Sequence, residues 1–560
     1  MRILMLAHAF NSLAQRLHVE LRADGHELSV EFDIHDDVTC EAAQLFHPDV
    51  VLAPFLKRAI PRPVWERHRC FIVHPGPPGD RGPSALDWAI LRAVPVWGIT
   101  VIQAVAELDA GPVWASASFE MRAARKSSLY RHEVTEGAVT AVRAALARVA
   151  SGLGPLFEPA GGSATWQPAM TQAQRAIDWR HDDMATVLRK IRSADGHPGL
   201  EDVLDHRRFR LFDAHAEPAR SGRPGDLIAR RHDSVCRATP DGAVWIGQLQ
   251  PADGPPSFKR PAALALGAVA QTLPRDPGWG DGGRQPAGGD IRYVERAAVG
   301  YLHFDFYNGA LGEQQCERLR SAFVQARRQQ TRVIVLMGGT DFWCNGMHLH
   351  CIEAADSPAD ASWANINQID DLAREILLTD THLTIAALGG NAAAGGVFLA
   401  LAADRVLARS SVVLNPHYRN MGNLYGSEYW TYLLPRRVGA ERARELMESR
   451  LPLGAERARS FGLIDDHAGP DDAGFLEMVR REAEALAVED VFESALQHKR
   501  ACRADDERKR ALADYRDQEL AQMHLNFYGF DPSYHIARHR FVHRTPHAWT
   551  PLHLARHRSA

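Results

Sequence analysis

The sequence predicts an α/β protein built from two sheet-bearing modules, and three observations predict it. Short apolar runs alternate with an amphipathic helix near the N-terminus. A stretch from 272 to 290, "TLPRDPGWGDGGRQPAGGD", is rich in Gly, Pro and Asp and has no hydrophobic period. Strand and helix patterns resume beyond it, as expected of a second packed module.

Taken in order, "RILMLAH" reads as a strand. "NSLAQRLHVELRADG" then places Leu13, Leu17 and Leu21 at four-residue spacing, capped by Asn11 or Ser12 and closed at Gly25. "ELSVEF", "DVVLAP" and "CFIVH" follow as short apolar strands. This βαβ alternation implies a mostly parallel sheet with both faces covered, and ligands bind such sheets beyond the carboxyl ends of the strands. His74 lies at one such end, because "HPGPPGDRG" holds too much Pro and Gly to continue a strand or a helix. The loop that carries Asn11 and Ser12 lies at another. Asp109, in "AELDAGPV", sits between two strand patterns that return it to the same rim, where a carboxylate beside the imidazole would orient it and raise its basicity. Spacing alone equally allows Asp109 to cap a turn.

Between 165 and 255 a helical pattern precedes short strands with Gly turns, a small β-rich middle domain. After the 272–290 stretch come "RYVERAAVGYLHFDF", an amphipathic "LGEQQCERLRSAFVQARRQ", a buried "RVIVLMGG" and then "THLTIAALGGNAAAGGVFLALAADRVLA". A helix opening on Ala-Ala-Gly-Gly exposes bare backbone amides, and the loop "GGTDFWCNGMHLH" offers others; two convergent N–H groups make an oxyanion hole. Small residues also simply allow close packing. In "LNPHYRNMGNLYGSEYWTYLLPRRVG", Tyr418 and Glu428 are the groups suited to proton handling, while Tyr425, Tyr429, Trp430 and Tyr432 read as packing. A bland role for Glu428 is a salt bridge to Arg436 or Arg437.

Composition excludes broad classes. With 45% hydrophobic and 24% charged residues, net charge -4 and pI near 6.7, there is no global field for nucleic acid or anionic membrane. "LIARRH" and "DHRRFR" read as solvated faces. There is no signal-peptide pattern and no long apolar span, which points to the cytoplasm. Cys40, Cys70, Cys236, Cys316, Cys344, Cys351 and Cys502 form no C-x-x-C pair and read as free thiols. His535, His539, His543 and His547 recur every four residues, but Pro546 breaks the period, Arg538, Arg540 and Arg544 are interleaved, and no acid completes a ligand set. A tail packed on the second module is the expectation. His348, His350 and Cys351 belong to the amide-bearing loop, and no metal is expected.

"VHPGPPGDRGPSALDWAI" with "WGITVIQAVAELDAGPV" resembles the N10-formyltetrahydrofolate formyltransferase family over residues 1 to about 150. The resemblance implies a doubly wound domain with His74 as acid/base and Asp109 as its support. It also implies an Asn two positions before the His, where this chain has Ile72, so the usual oxyanion donor is missing. Asn11, Ser12 and Arg81 are the expected folate-side contacts, with Arg16 a further candidate. The 165–255 region resembles the small domain that follows in methionyl-tRNA formyltransferases.

"FYNGAL", "GGTDFWCNGMHL", "IAALGGNAAAGGVFLALAADRVL" and "RRVGAERARELMESRLPLGAERARSFGLIDD" resemble the enoyl-CoA hydratase/isomerase (crotonase) superfamily over 290 to 480. The resemblance implies a ββα superhelix, oxyanion amides at Met347 and Gly395, and coenzyme A contacts near Gly346 and Gly396, with Arg292 or Lys499 as cationic candidates. The two hydratase glutamates are absent: the first position is Phe398 and the second is His417 or Tyr418, so enoyl-CoA hydration is not expected.

The expected organisation is therefore a formyltransferase-like domain (1–160), a small domain (161–271), a linker (272–289), a crotonase-like domain (290–480) and a helical extension (481–560). Across nearly the whole chain this combination resembles a family of hydrogenase maturation factors. That resemblance implies formyl transfer from N10-formyltetrahydrofolate to coenzyme A, and then carbon monoxide release from formyl-CoA for the iron of [NiFe]-hydrogenase. It admits hydrogenase assembly proteins as partners. Rival readings are a formyltransferase with an unrelated acyl-CoA activity and a non-catalytic CoA-binding scaffold.

Overall fold

The structure, a computed structural model, describes residues 1–157, 165–276, 289–469 and 471–558. Most of the expected linker and the 160/161 boundary lie outside the described residues. The chain forms two compact units, Met1–Asp276 with Pro546–Ala560, and Pro277–Thr545.

The first unit carries a six-stranded sheet in the order Glu27–Phe32, Arg2–Ala7, Val50–Phe55, Cys70–His74, Val96–Gln103, Val113–Glu120. The first four strands are parallel and the last two run antiparallel to their neighbours, the mostly parallel sheet that the βαβ alternation predicts. The strand order reverses beside Arg2–Ala7, so the carboxyl ends of Arg2–Ala7 and Cys70–His74 open at the rim where doubly wound sheets bind ligands. Asn11 caps the Ser12–Ala23 helix, its side chain accepting from the Ala14 amide at 3.0 Å. Leu13, Leu17 and Leu21 are buried, as their spacing requires.

The middle region belongs to the same unit. The helix Met184–Ala194 packs on an antiparallel sheet ordered Leu227–Arg231, Ser234–Thr239, Gly242–Pro251, Arg207–Glu217, Leu200–Leu204. Arg125 to Asp213 (2.5 Å), Lys126 to the His197 carbonyl (2.6 Å) and Ser127 to Asp195 (2.9 Å) tie this region to the first.

The second unit holds a six-stranded sheet, Ile291–Arg296, Val299–Phe304, Val333–Gly338, Leu383–Leu388, Arg405–Arg409, Asp466–Ala468, parallel except for its first pair. A smaller sheet joins Phe342–Cys344, Asn391–Ala393, Val413–Asn415 and Leu453–Gly454. Their near-continuous apolar burial, with Trp343 and Phe398 fully enclosed, is what parallel strands covered on both faces require. Helices Glu489–Lys509, Leu512–Tyr528 and Ser533–Val542 form the extension.

The chain end departs from expectation. Helix ends at Val542, and Pro546–Arg558 belongs to the first unit rather than packing on the second. The reason is Glu31, an acid fully enclosed on the Glu27–Phe32 strand. His557 Nε2 meets it at 3.0 Å, Arg558 donates at 2.8 Å, and Thr550 donates to its other oxygen. Ser29 Oγ lies 2.6 Å from His557 Nδ1, and the His547 ring stacks on Phe32. Burial raises the Glu31 pKa, but the His557 and Thr550 hydrogen bonds and the Arg558 charge outweigh it and hold the carboxyl below its ordinary range. His557→Ala removes one of three buried hydrogen-bond partners of Glu31 and is expected to cost about 1–3 kcal/mol in the first unit's unfolding. Denaturant titration of the full chain checks this.

Candidate active site

Two clusters gather the chemistry, one in each unit. In the first, His74 ends its strand with a buried ring. Its Nε2 lies 2.9 Å from Asp80 Oδ2, and its Nδ1 lies 3.7 Å from Asp109 Oδ2. The sequence pairs His74 with Asp109; the structure brings these two together but makes Asp80 the closer partner, a residue the sequence reading passed over inside "PGDRG". Asp109 takes both roles that spacing allowed. Its backbone is left-handed, with φ 53°, its carboxylate accepts from the Gly82 amide at 3.1 Å, and it still faces His74. Gly76 is obligatory here, since a Cβ would stand 2.6 Å from His74 Nε2 and 2.4 Å from Asp80 Oδ2. Thr100 and Trp97 donate to the Gly76 and Pro75 carbonyls and fix the loop.

The expected folate contacts are mostly engaged elsewhere. The Asn11 oxygen is spent on its helix, and Ser12 opens the same helix, half-buried. Arg81 pairs with Glu107 and the Leu108 carbonyl, and Arg16 with Glu20 and Glu136. Ile72 packs into the apolar cluster around Leu4, Val51 and Cys70 and offers no donor.

The second cluster surrounds Gly395, the first residue of the Gly395–Leu401 helix. Its amide has no intrahelical acceptor. Among the described residues neither it nor the Met347 amide has a hydrogen-bond partner. The two loops approach closely: Gly346, with φ 79°, would put a Cβ 3.3 Å from the Gly395 nitrogen, and a Cβ on Gly396 would meet the Cys344 carbonyl at 2.0 Å. Glu428 lies directly over this backbone, since a Cβ on Gly395 would be 2.1 Å from Glu428 Oε1. The Tyr418 hydroxyl hydrogen-bonds Glu428 Oε2 and lies 2.9 Å from the Ser427 carbonyl, while its ring stacks on Phe398 with centroids 5.2 Å apart. Tyr418, not His417, therefore joins the carboxylate, although His417 is also buried. Arg436 and Arg437 pair with Asp506 and Asp465, which removes the salt-bridge role for Glu428. Lys499 likewise pairs with Asp404, and Arg292 approaches His303.

Two acids missed in the sequence complete this cluster. Asp370, on Pro358–Leu377, accepts from the Glu428 amide and the Ser427 hydroxyl at 2.8 Å each. Glu519, on Leu512–Tyr528, accepts from the Tyr429 and Thr431 amides and the Thr431 hydroxyl. These bonds hold Glu428 and Tyr429 in left-handed backbone, φ 59° and 60°. All three carboxyls are nearly inaccessible, and burial raises the pKa of each, Glu428 and Glu519 to about 8 with the Asp370 charge adding to the rise, and Asp370 to about 6. Donors decide where charge resides. Asp370 has two and Arg516 3.7 Å away, and Glu519 has three with the Ser427 hydroxyl 3.4 Å off. Glu428 has two, both on Oε2, the Tyr418 hydroxyl and the Ser427 amide at 3.3 Å, and its Oε1 accepts none among the described residues; burial and the Asp370 charge favour its protonated form. Burial and the neighbouring carboxylate keep the Tyr418 phenol protonated, well above its ordinary range. Because Glu428 holds a proton that the unfolded chain releases near 4.5, the cluster's contribution to stability falls as pH rises from there to about 8.

Residues 296–550 match the enoyl-CoA hydratase/isomerase family and residues 169–257 the formyl transferase C-terminal domain family. With the sheet and loops of the first unit, these define a protein in which a formyltransferase module is joined to a crotonase module. Hydrogenase maturation factor HoxX of Bradyrhizobium diazoefficiens is 53% identical over all of this chain and 97% of its own length. The crystal structure of HypX from Aquifex aeolicus in complex with tetrahydrofolic acid superimposes with TM-score 0.95 at 47% identity, covering 100% of this chain and 99% of that one. The chain belongs to the HypX/HoxX family of hydrogenase maturation factors. Methionyl-tRNA formyltransferase of Dichelobacter nodosus is 27% identical over 213 residues, 37% of this chain and 67% of its own. Among the described residues no helix is long and apolar enough to cross a membrane.

Proposed function

We propose that this chain makes carbon monoxide for hydrogenase maturation in two steps: formyl transfer from N10-formyltetrahydrofolate to the thiol of coenzyme A, and decarbonylation of the formyl-CoA. The buried Tyr418–Glu428 pair lying against the Gly395 backbone carries this reading. A hydratase would need two carboxylates aimed at an alkene and a water; here one of those positions is an apolar ring, Phe398, stacked on the phenol.

In the first step His74, flanked by Asp80 and Asp109, takes the thiol proton as sulfur attacks the formyl carbon, and passes it to N10 as the C–N bond breaks. Thiolate sulfur is a strong nucleophile, which suits a site with Ile72 in place of an oxyanion donor. In the second step the Met347 and Gly395 amides polarise the formyl carbonyl. The C–S bond breaks, the formyl hydrogen leaves as a proton, and the departing thiolate is protonated, so formyl-CoA gives CO and free CoA. Glu428, arriving protonated, delivers a proton to sulfur and recovers one from the formyl carbon, with Tyr418 holding the carboxyl in place.

CO trapped by deoxyhaemoglobin from purified protein, N10-formyltetrahydrofolate and CoA is the test. Folate- and CoA-dependent CO supports the reading; formyl-CoA accumulating without CO sinks the second step. A protonated Glu428 also sets the pH response. Decarbonylation of supplied formyl-CoA is expected to fall as pH rises through about 8. Asp370→Asn, which removes one anion beside Glu428, is expected to move that limb down by roughly one unit. A kcat–pH profile of the two proteins reads this directly.

A further inference from the structure

The histidine series near the C-terminus lacks an acid in sequence, and the fold supplies one. Helix Ser533–Val542 packs against the short helix Leu349–Glu353, bringing Glu353 to the histidines. His539 Nδ1 lies 2.8 Å and His543 Nε2 3.3 Å from the same oxygen, Glu353 Oε1. The three ligand atoms all fall within 4.8 Å of one another, and the two rings are tilted 31° to each other with centroids 4.1 Å apart. The four-residue period divides by role. His535 bonds the Phe527 carbonyl and Arg538, His547 stacks on Phe32 in the first unit, and His539 and His543 meet Glu353.

We propose that Glu353, His539 and His543 form a binding site for a divalent transition-metal cation, with Zn2+ the best match to two imidazoles and one carboxylate. Tetrahedral Zn2+ with bonds of about 2.0–2.1 Å needs donor atoms roughly 3.3 Å apart, which small rotations of these side chains reach. The surrounding groups are arranged as metal sites arrange theirs. Arg538, itself buried, donates at 2.7 Å to the other carboxylate oxygen, Oε2, and so turns Oε1 toward the histidines. Tyr534 lies under the Arg538 guanidinium and is anchored by Ser362. His539 is 57% exposed, which gives the ion an entry path and leaves room for water as the fourth ligand. The positive charge of Arg538 favours a cation whose bonds to imidazole are strong over the hard, oxygen-seeking Ca2+ and Mg2+. The bound ion would pin the last helix of the second unit to Leu349–Glu353, the helix that follows the Met347 loop.

The test uses the full chain, stripped with chelator and titrated with Zn2+ by calorimetry, with Co2+ as a spectroscopic substitute. One equivalent of Zn2+ is expected, with the visible d–d bands of four-coordinate Co2+ and a melting temperature that rises on Zn2+ addition. His539→Asn with His543→Asn, both in accessible positions, should weaken binding at least about tenfold and abolish the bands. Glu353→Gln, which keeps an oxygen for Arg538, should do the same. Binding equally strong in the double-histidine variant, with the Co2+ bands unchanged, would place the ion elsewhere among the 27 histidines and overturn the assignment. Absence of binding to the unmodified chain would also overturn it.

Discussion

Glu428→Gln is expected to stop CO release while formyl-CoA continues to be made. The amide keeps the volume of the side chain and an oxygen for the Tyr418 hydroxyl, so the geometry over Gly395 survives. It cannot give a proton to the thiolate or take one from the formyl carbon. Losing a positioned acid/base typically costs about 10²–10⁴ in rate. A neutral amide also removes an ionisable group from a pocket holding two other carboxyls, so the protein should be no less stable at pH 8. Paired assays, haemoglobin trapping for CO and mass spectrometry for formyl-CoA, read both expectations. Unchanged CO release would remove the second unit's carboxyl from the chemistry.

The second large effect is at His74. His74→Asn should reduce folate-dependent formyl-CoA formation by about 10²–10⁴, because the asparagine amide cannot carry a proton from thiol to N10 as the imidazole does. Decarbonylation lies downstream, so the same variant given formyl-CoA directly should release CO at the normal rate. Loss of both activities would instead mean that the two reactions share one site.

Much of this was legible in the sequence for identifiable reasons. Strands such as "RILMLAH" and "CFIVH" carry their own apolar signal, and the Pro-Gly loop after His74 has no regular alternative. Glu428 stands out in the sequence because a carboxylate amid aromatics is unusual, and Tyr418 because a phenol in that run can hydrogen-bond or pass a proton. Asp80, Asp370 and Glu519 were missed for a common reason: in sequence each is an ordinary acid in a turn or on an amphipathic helix. Only tertiary packing shows that Asp370 and Glu519 face inward onto the amides at 428, 429 and 431. Arg16 and Arg81 are paired with Glu136 and Glu107, partners that a cation near a cleft does not disclose in one dimension. Glu353 lies almost two hundred positions from the histidines it meets, beyond the reach of any local pattern.

The enclosed Glu31 sets an order of events during synthesis. His557 and Arg558, which neutralise it, are made 526 and 527 positions after it. At about 5–20 residues per second, that interval is tens of seconds. Through it the nascent sheet holds an acid with no counter-charge and cannot close over it. A chain truncated anywhere inside the second unit therefore lacks the groups that neutralise Glu31 in the first.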